Sequence, residues 1–148
     1  MKNSLTILVL RCLVFAVLAV ATVVSNRANA QQIAQGAVSL SIQAYSWQNI
    51  AVTSATCGVT ISVFDNVTLA SFINSVTVDA NTQQSGLITC TVLVPYYWSL
   101  SSLNSTISVG YSVEALSNTA ASKSTSGSAG SIPASQTGVT SKNVVTVF

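Results

Sequence analysis

Apolar and polar side chains alternate along most of the chain beyond residue 31, and the alternation divides it into short elements. Gly36, Val38, Leu40, Ile42 and Ala44 share one parity, with Ala37, Ser39, Ser41 and Gln43 on the other. A period of two puts one parity on one face of a strand, so this stretch predicts a half-buried strand with a polar outer face. Cys57, Val59, Ile61 and Val63 alternate with Gly58, Thr60 and Ser62 inside a second strand predicted from about Ala51 to Phe64. Ile88, Cys90, Val92 and Val94 do the same against Thr89, Thr91 and Leu93, in a strand that Pro95 is expected to stop because it has no N–H for a ladder. The cleanest alternation is Ile107, Val109, Tyr111, Val113 and Ala115 against Ser108, Gly110, Ser112 and Glu114. Strand character returns at Val139 to Phe148, with Val145 and Val147 on one parity and Val144, Thr146 and Phe148 on the other.

Between these runs the pattern weakens. Asp65-Asn66 and Asp79 to Gly86 are turn signals. Val67 to Val78 reads as two short strands with a kink, or a helical turn, near Ser71 to Asn74. Residues 117–138 are mostly Ser, Thr, Ala and Gly with one Pro, too poor in apolar residues to pack, and predict a flexible surface loop. No apolar pattern at helical spacing is sustained after residue 31. The expectation is an all-β, antiparallel, immunoglobulin-like β-sandwich of about 6–7 strands forming a single domain over 31–148. Trp98 lies eight residues after the second of these cysteines, which does not fit the antibody arrangement of a tryptophan between the pair.

Residues 1–30 change the picture by adding a cellular address. Lys2 and Arg11 precede an apolar run from Cys12 to Val24, and Ala28-Asn29-Ala30 supplies a small-x-small cleavage pattern, so this segment reads as a signal peptide. The run after Arg11 has 13 residues, short of the roughly 20 that a spanning helix needs. Cleavage would leave Cys57 and Cys90 as the two cysteines of a secreted chain. Both lie on the apolar parity of a strand, and we read them as one buried disulfide, the alternative being two unpaired core thiols.

The predicted mature chain of 118 residues carries Lys123 and Lys142 against Asp65, Asp79 and Glu114, a net charge of −1. Such a surface excludes nucleic acid as a partner. With 22 Ser and 14 Thr, solubility rests on hydroxyls, and weak charge repulsion suits an assembly subunit as well as an ordinary extracellular domain. The chain has no histidine, so imidazole bases, triads and histidine metal sites are excluded. Serine chemistry would have to use Lys123 or Lys142, and a glycosidase pair would need two of the three carboxylates about 5 to 10 Å apart. Asp65, Asn66 and Asp79 could supply oxygen ligands to calcium, although Asp and Asn in turns usually serve the backbone. Asn66-Val67-Thr68 and Asn104-Ser105-Thr106 match the N-glycosylation acceptor pattern. Tyr96, Tyr97 and Trp98, with Tyr45 and Trp47 elsewhere, could form an aromatic platform for sugar rings, or pack into the core and its edge. The expectation is therefore no catalytic residue, no cofactor and no bound metal.

The leader, the spacing of 33 between Cys57 and Cys90, the alternating strands at both ends and the closing Val144-Val145-Thr146-Val147-Phe148 resemble pilin subunits of chaperone-usher fibres, including the spore-coat-U-like branch. In that family the subunit is an incomplete immunoglobulin-like sandwich, completed by an N-terminal strand from the next subunit. The resemblance implies that Ala34, Gly36, Val38, Leu40 and Ile42 form the donated strand, and that Val145 and Val147 lie in the strand a periplasmic chaperone grips. The expected function is a non-catalytic structural subunit of a surface fibre or coat, self-assembling in the periplasm or outside the cell. The alternative is a self-contained secreted binding or adhesion module for a glycan or protein.

Overall fold

The computed structural model describes residues 31–46, 51–83, 86–119 and 121–147; the predicted leader, Trp47 and Phe148 lie outside the described residues. Eight strands follow in order: β1 (Gln32–Tyr45), β2 (Val52–Asp65), β3 (Ala70–Asp79), β4 (Asn81–Thr82), β5 (Leu87–Leu100), β6 (Thr106–Ser117), β7 (Ser122–Pro133) and β8 (Val139–Val147). They form two four-stranded sheets, β4-β5-β1-β8 (sheet A) and β3-β2-β6-β7 (sheet B). The fold is an all-β, immunoglobulin-like sandwich, and its pairings are antiparallel except that of β1 with β8, which is parallel.

The parities seen in the sequence become the two inner faces. Val38, Leu40 and Ile42 of β1, Val59 and Ile61 of β2, Val92 and Val94 of β5, and Ile107, Val109 and Val113 of β6 are all essentially inaccessible. Each such side chain contributes roughly 1.5–3 kcal/mol when buried. Cys57 on β2 and Cys90 on β5 form a disulfide across this core with a Cα–Cα distance of 6.5 Å, so the bridge joins one sheet to the other. Closing that loop of 33 residues is worth about 3.5–4 kcal/mol in the chain-entropy estimate.

Three expectations are corrected. The stretch expected to kink near Ser71 to Asn74 is one continuous strand, β3. Its pattern looked broken because Ile73 faces solvent while Asn74 faces inward, where its side-chain amide donates to the Pro95 carbonyl at 2.6 Å. Pro95 does not end its strand either, and β5 continues to Leu100. Its partner in β1 is Ala37, whose N–H is turned to the Gly138 carbonyl, on the side away from β5. The pair exchanges no ladder bonds, and the nitrogen of Pro95 points to the open edge beyond the two-residue β4, where no donor is needed.

The third correction concerns residues 117–138, expected as a flexible loop. Most of this segment is β7, paired antiparallel with β6 from Leu116↔Ser122 to Thr106↔Pro133. An edge strand needs only one neighbour's backbone and few apolar contacts. Ile132 is buried, Thr125 and Ala129 are half-buried, and nearly all the rest is exposed. A register shift between Ser108 and Gly110 leaves an extra β7 residue where Gly130 takes a φ of 84°.

Candidate functional site

The segment expected as a donated strand lies inside the chain's own sheet. β1 pairs with β5 from Gln32↔Leu100 to Tyr45↔Leu87 on one side, and with β8 from Ala37↔Val139 to Tyr45↔Val147 on the other. Among the described residues β8 has no other sheet neighbour, so β1 is the strand that holds it in sheet A. Gly36 sits opposite Tyr96, and a Cβ there would lie 2.7 Å from both the Tyr96 Oη and the Gly138 carbonyl oxygen. The ring covers the space that a side chain would fill, and its hydroxyl donates to the Gln136 carbonyl at 2.8 Å. On β8, Val145 and Val147 point outward and are exposed, while Val144 packs against the core.

The three consecutive aromatics do not form one platform. Tyr96 is buried, and Trp98 on the same parity stacks against it with ring centroids 5.4 Å apart and against Phe72 at 6.3 Å. Tyr97 alone points outward, 69% exposed on the outer face of sheet A. Alternation along β5 separates them, so Tyr96 and Trp98 are packing residues and Tyr97 remains available for contact.

Asp65 and Asp79 lie at opposite ends of the β2–β3 ladder, opposite Ala70 and Thr56 respectively. The length of β3, about 30 Å at the usual strand rise, separates them, so a shared calcium site does not assemble. No group of three or more His, Cys, Asp or Glu side chains converges among the described residues. Asp79 and Glu114 come closer, flanking Thr56 from β3 and β6 about 10 Å apart by strand spacing. Both are exposed on an open sheet face, without the enclosure on which a glycosidase acid depends. Lys123 is exposed on β7 and Lys142 half-buried on β8, and neither hydrogen-bonds a serine hydroxyl among the described residues.

The most constructed polar site is one the turn signal concealed. Asp65 is 3% exposed, and its carboxylate accepts four hydrogen bonds. Oδ1 takes the Val67 N–H at 3.0 Å and the Thr68 N–H at 3.4 Å, while Oδ2 takes the Ser101 N–H at 2.8 Å and the Ser101 hydroxyl at 2.9 Å. The Ser101 N–H above all, with the Val67 N–H and the other donors, holds the carboxyl well below its ordinary range against the opposing effect of burial. One side chain thereby ties the turn after β2 to the turn after β5. The signal was available in the sequence, because Asp65 falls on the inward parity of Cys57, Val59, Ile61 and Val63.

Above this tie, on the outer face of sheet B, lies an open depression of about 510 Å³ lined by Phe64, Ile73, Asn66, Asn104, Ser71 and neighbouring hydroxyls. Asn66 and Asn104, the asparagines of the two acceptor triplets, are both exposed there.

No family model, curated protein or solved structure gives a significant match to the chain. No helix among the described residues is long and apolar enough to cross a membrane.

Proposed function

We propose that this protein is a secreted, non-catalytic structural subunit of a bacterial surface fibre or coat, in which β1 of one copy completes sheet A of the next. The observation that carries the reading is the position of β1, inserted between β5 and β8 as the strand on which β8 pairs in its sheet. Its Val38, Leu40 and Ile42 are fully buried, worth roughly 5–8 kcal/mol by apolar area, an amount comparable to the whole stability of such a domain. The same contacts form whether the strand comes from the same chain or a neighbour, so exchange sacrifices no packing. A slot of this depth, flanked by unpaired edge groups when empty, needs a periplasmic chaperone or another subunit to fill it. The near-neutral mature surface opposes association only weakly.

Full-length mature protein should form heat-resistant oligomers as its concentration rises, visible by ultracentrifugation, and charged substitutions at Val38, Leu40 or Ile42 should abolish them. A compact monomer at every concentration, with the amides of 31–44 protected from hydrogen exchange, would overturn the donated strand. The unbroken pairing of β1 within its own sheet favours, in that event, a self-contained secreted adhesion module for a glycan or protein.

A further inference from the structure

We propose that the depression on the outer face of sheet B binds an uncharged saccharide, a site independent of strand donation. Its lining contains no ionisable side chain. A charged ligand would lose hydration there without gaining a counter-charge, whereas a neutral polyhydroxylated ligand finds only partners of its own kind.

Two features make the floor suitable for a sugar ring. Phe64 and Ile73 are 48% and 64% exposed, two large apolar side chains whose neighbours in the depression on the outer face are the hydroxyls of Ser62, Ser71, Thr106 and Ser108. A phenyl face offers a flat apolar surface to the C–H face of a pyranose. Around that floor stand the carboxamides of Asn66 and Asn104, neither of which hydrogen-bonds another protein group among the described residues. Each offers two donors and an acceptor, the combination that adjacent sugar hydroxyls require. The volume of about 510 Å³ lies within the usual range for small-ligand sites.

The rim is also preorganised. Asn66 is carried by the turn after β2 and Asn104 by the turn after β5, and the buried Asp65 carboxylate bonds to both turns through Val67, Thr68 and Ser101. Asn104 is further fixed by its N–H, which donates to the Ser102 hydroxyl at 3.1 Å. The carboxylate that sets the spacing of the two amides faces away from the depression, so the site stays uncharged. Asp65 acts here as a positioning residue.

The test uses full-length mature protein from a host that does not glycosylate Asn66 or Asn104. Neutral hexasaccharides of glucose, mannose, galactose and N-acetylglucosamine are titrated at millimolar concentration, with sulfated heparin hexasaccharide as the anionic comparison. At least one neutral probe should shift the NMR signals of the Asn66 and Asn104 side-chain amides and the Phe64 ring. Phe64→Ala should weaken that binding about tenfold. Asp65→Asn should weaken it also while leaving the shifts, where they occur, at the same residues, and Tyr97→Ala on the opposite face should leave affinity unchanged. Silence of the Asn66, Asn104 and Phe64 signals with every neutral probe, stronger binding of the sulfated one, or loss of binding in Tyr97→Ala alone would overturn the proposal. The mapping on unaltered protein decides the matter even where a variant fails to fold.

Discussion

Asp65 and Ser101 are 36 residues apart in sequence, yet both the backbone N–H and the hydroxyl of Ser101 are bonded to the same Asp65 oxygen, at 2.8 and 2.9 Å. The contact fastens the end of β2, in sheet B, to the end of β5, in sheet A. It does at this end of the sandwich what the disulfide does in the middle.

This arrangement makes stability depend on acid. The folded-state pKa of Asp65 lies below its ordinary 3.8, so the unfolded chain binds the proton more tightly. The stabilisation is complete above about pH 5 and is lost as pH falls through and below the unfolded value. Thermal melts of the wild type should therefore decline between about pH 5 and pH 3, and Asp65→Asn should melt lower at neutral pH with a flatter profile over that interval. An unchanged slope in the variant would show that Asp65 is not the source of the acid sensitivity.

Gly36→Ala should destabilise the domain by roughly 1–3 kcal/mol, the usual cost of overpacking. The new methyl meets the Tyr96 hydroxyl and the Gly138 carbonyl at 2.7 Å, one movable and one fixed in the backbone. Tyr96→Phe on the same background removes the first clash only, so it should recover part of the loss. Urea unfolding of the two single variants and the double variant measures this directly. Full recovery would show that the Gly138 backbone yields freely.

Removing the bridge by Cys57→Ser with Cys90→Ser should cost about 3.5–4 kcal/mol and lower the melting temperature without changing the strand content seen by circular dichroism. Alkylation of the denatured, unreduced protein should label neither Cys57 nor Cys90. Detection of two free thiols by mass spectrometry would remove the bridge from the account of stability.

How much of this was legible in the sequence depends on what each segment uses to hold itself. β1, β2, β5 and β6 are internal strands with a buried face, and a buried face must be apolar at every second position, so Val38, Leu40, Ile42, Val59, Ile61, Val92 and Val109 announced their own orientation. The two cysteines declared their pairing for the same reason, since inward parity on two strands of a sandwich points them at each other. The separation of Tyr97 from Trp98 likewise follows from period two alone.

Tertiary structure decided the rest, wherever a neighbour's backbone or a distant polar group stands in for hydrophobicity. β7 exists because β6 offers it an unpaired edge, which its own Ser and Gly residues cannot signal. Pro95 is tolerated inside β5 because β4 is too short to reach it, a fact of sheet order and not of local composition. β8 pairs parallel to β1 after the chain has crossed from sheet B back to sheet A, and no side-chain pattern encodes that direction. Asp65 lies on an inward parity that the sequence displays, but only the fold supplies Ser101, whose two donors make a buried carboxylate stable there.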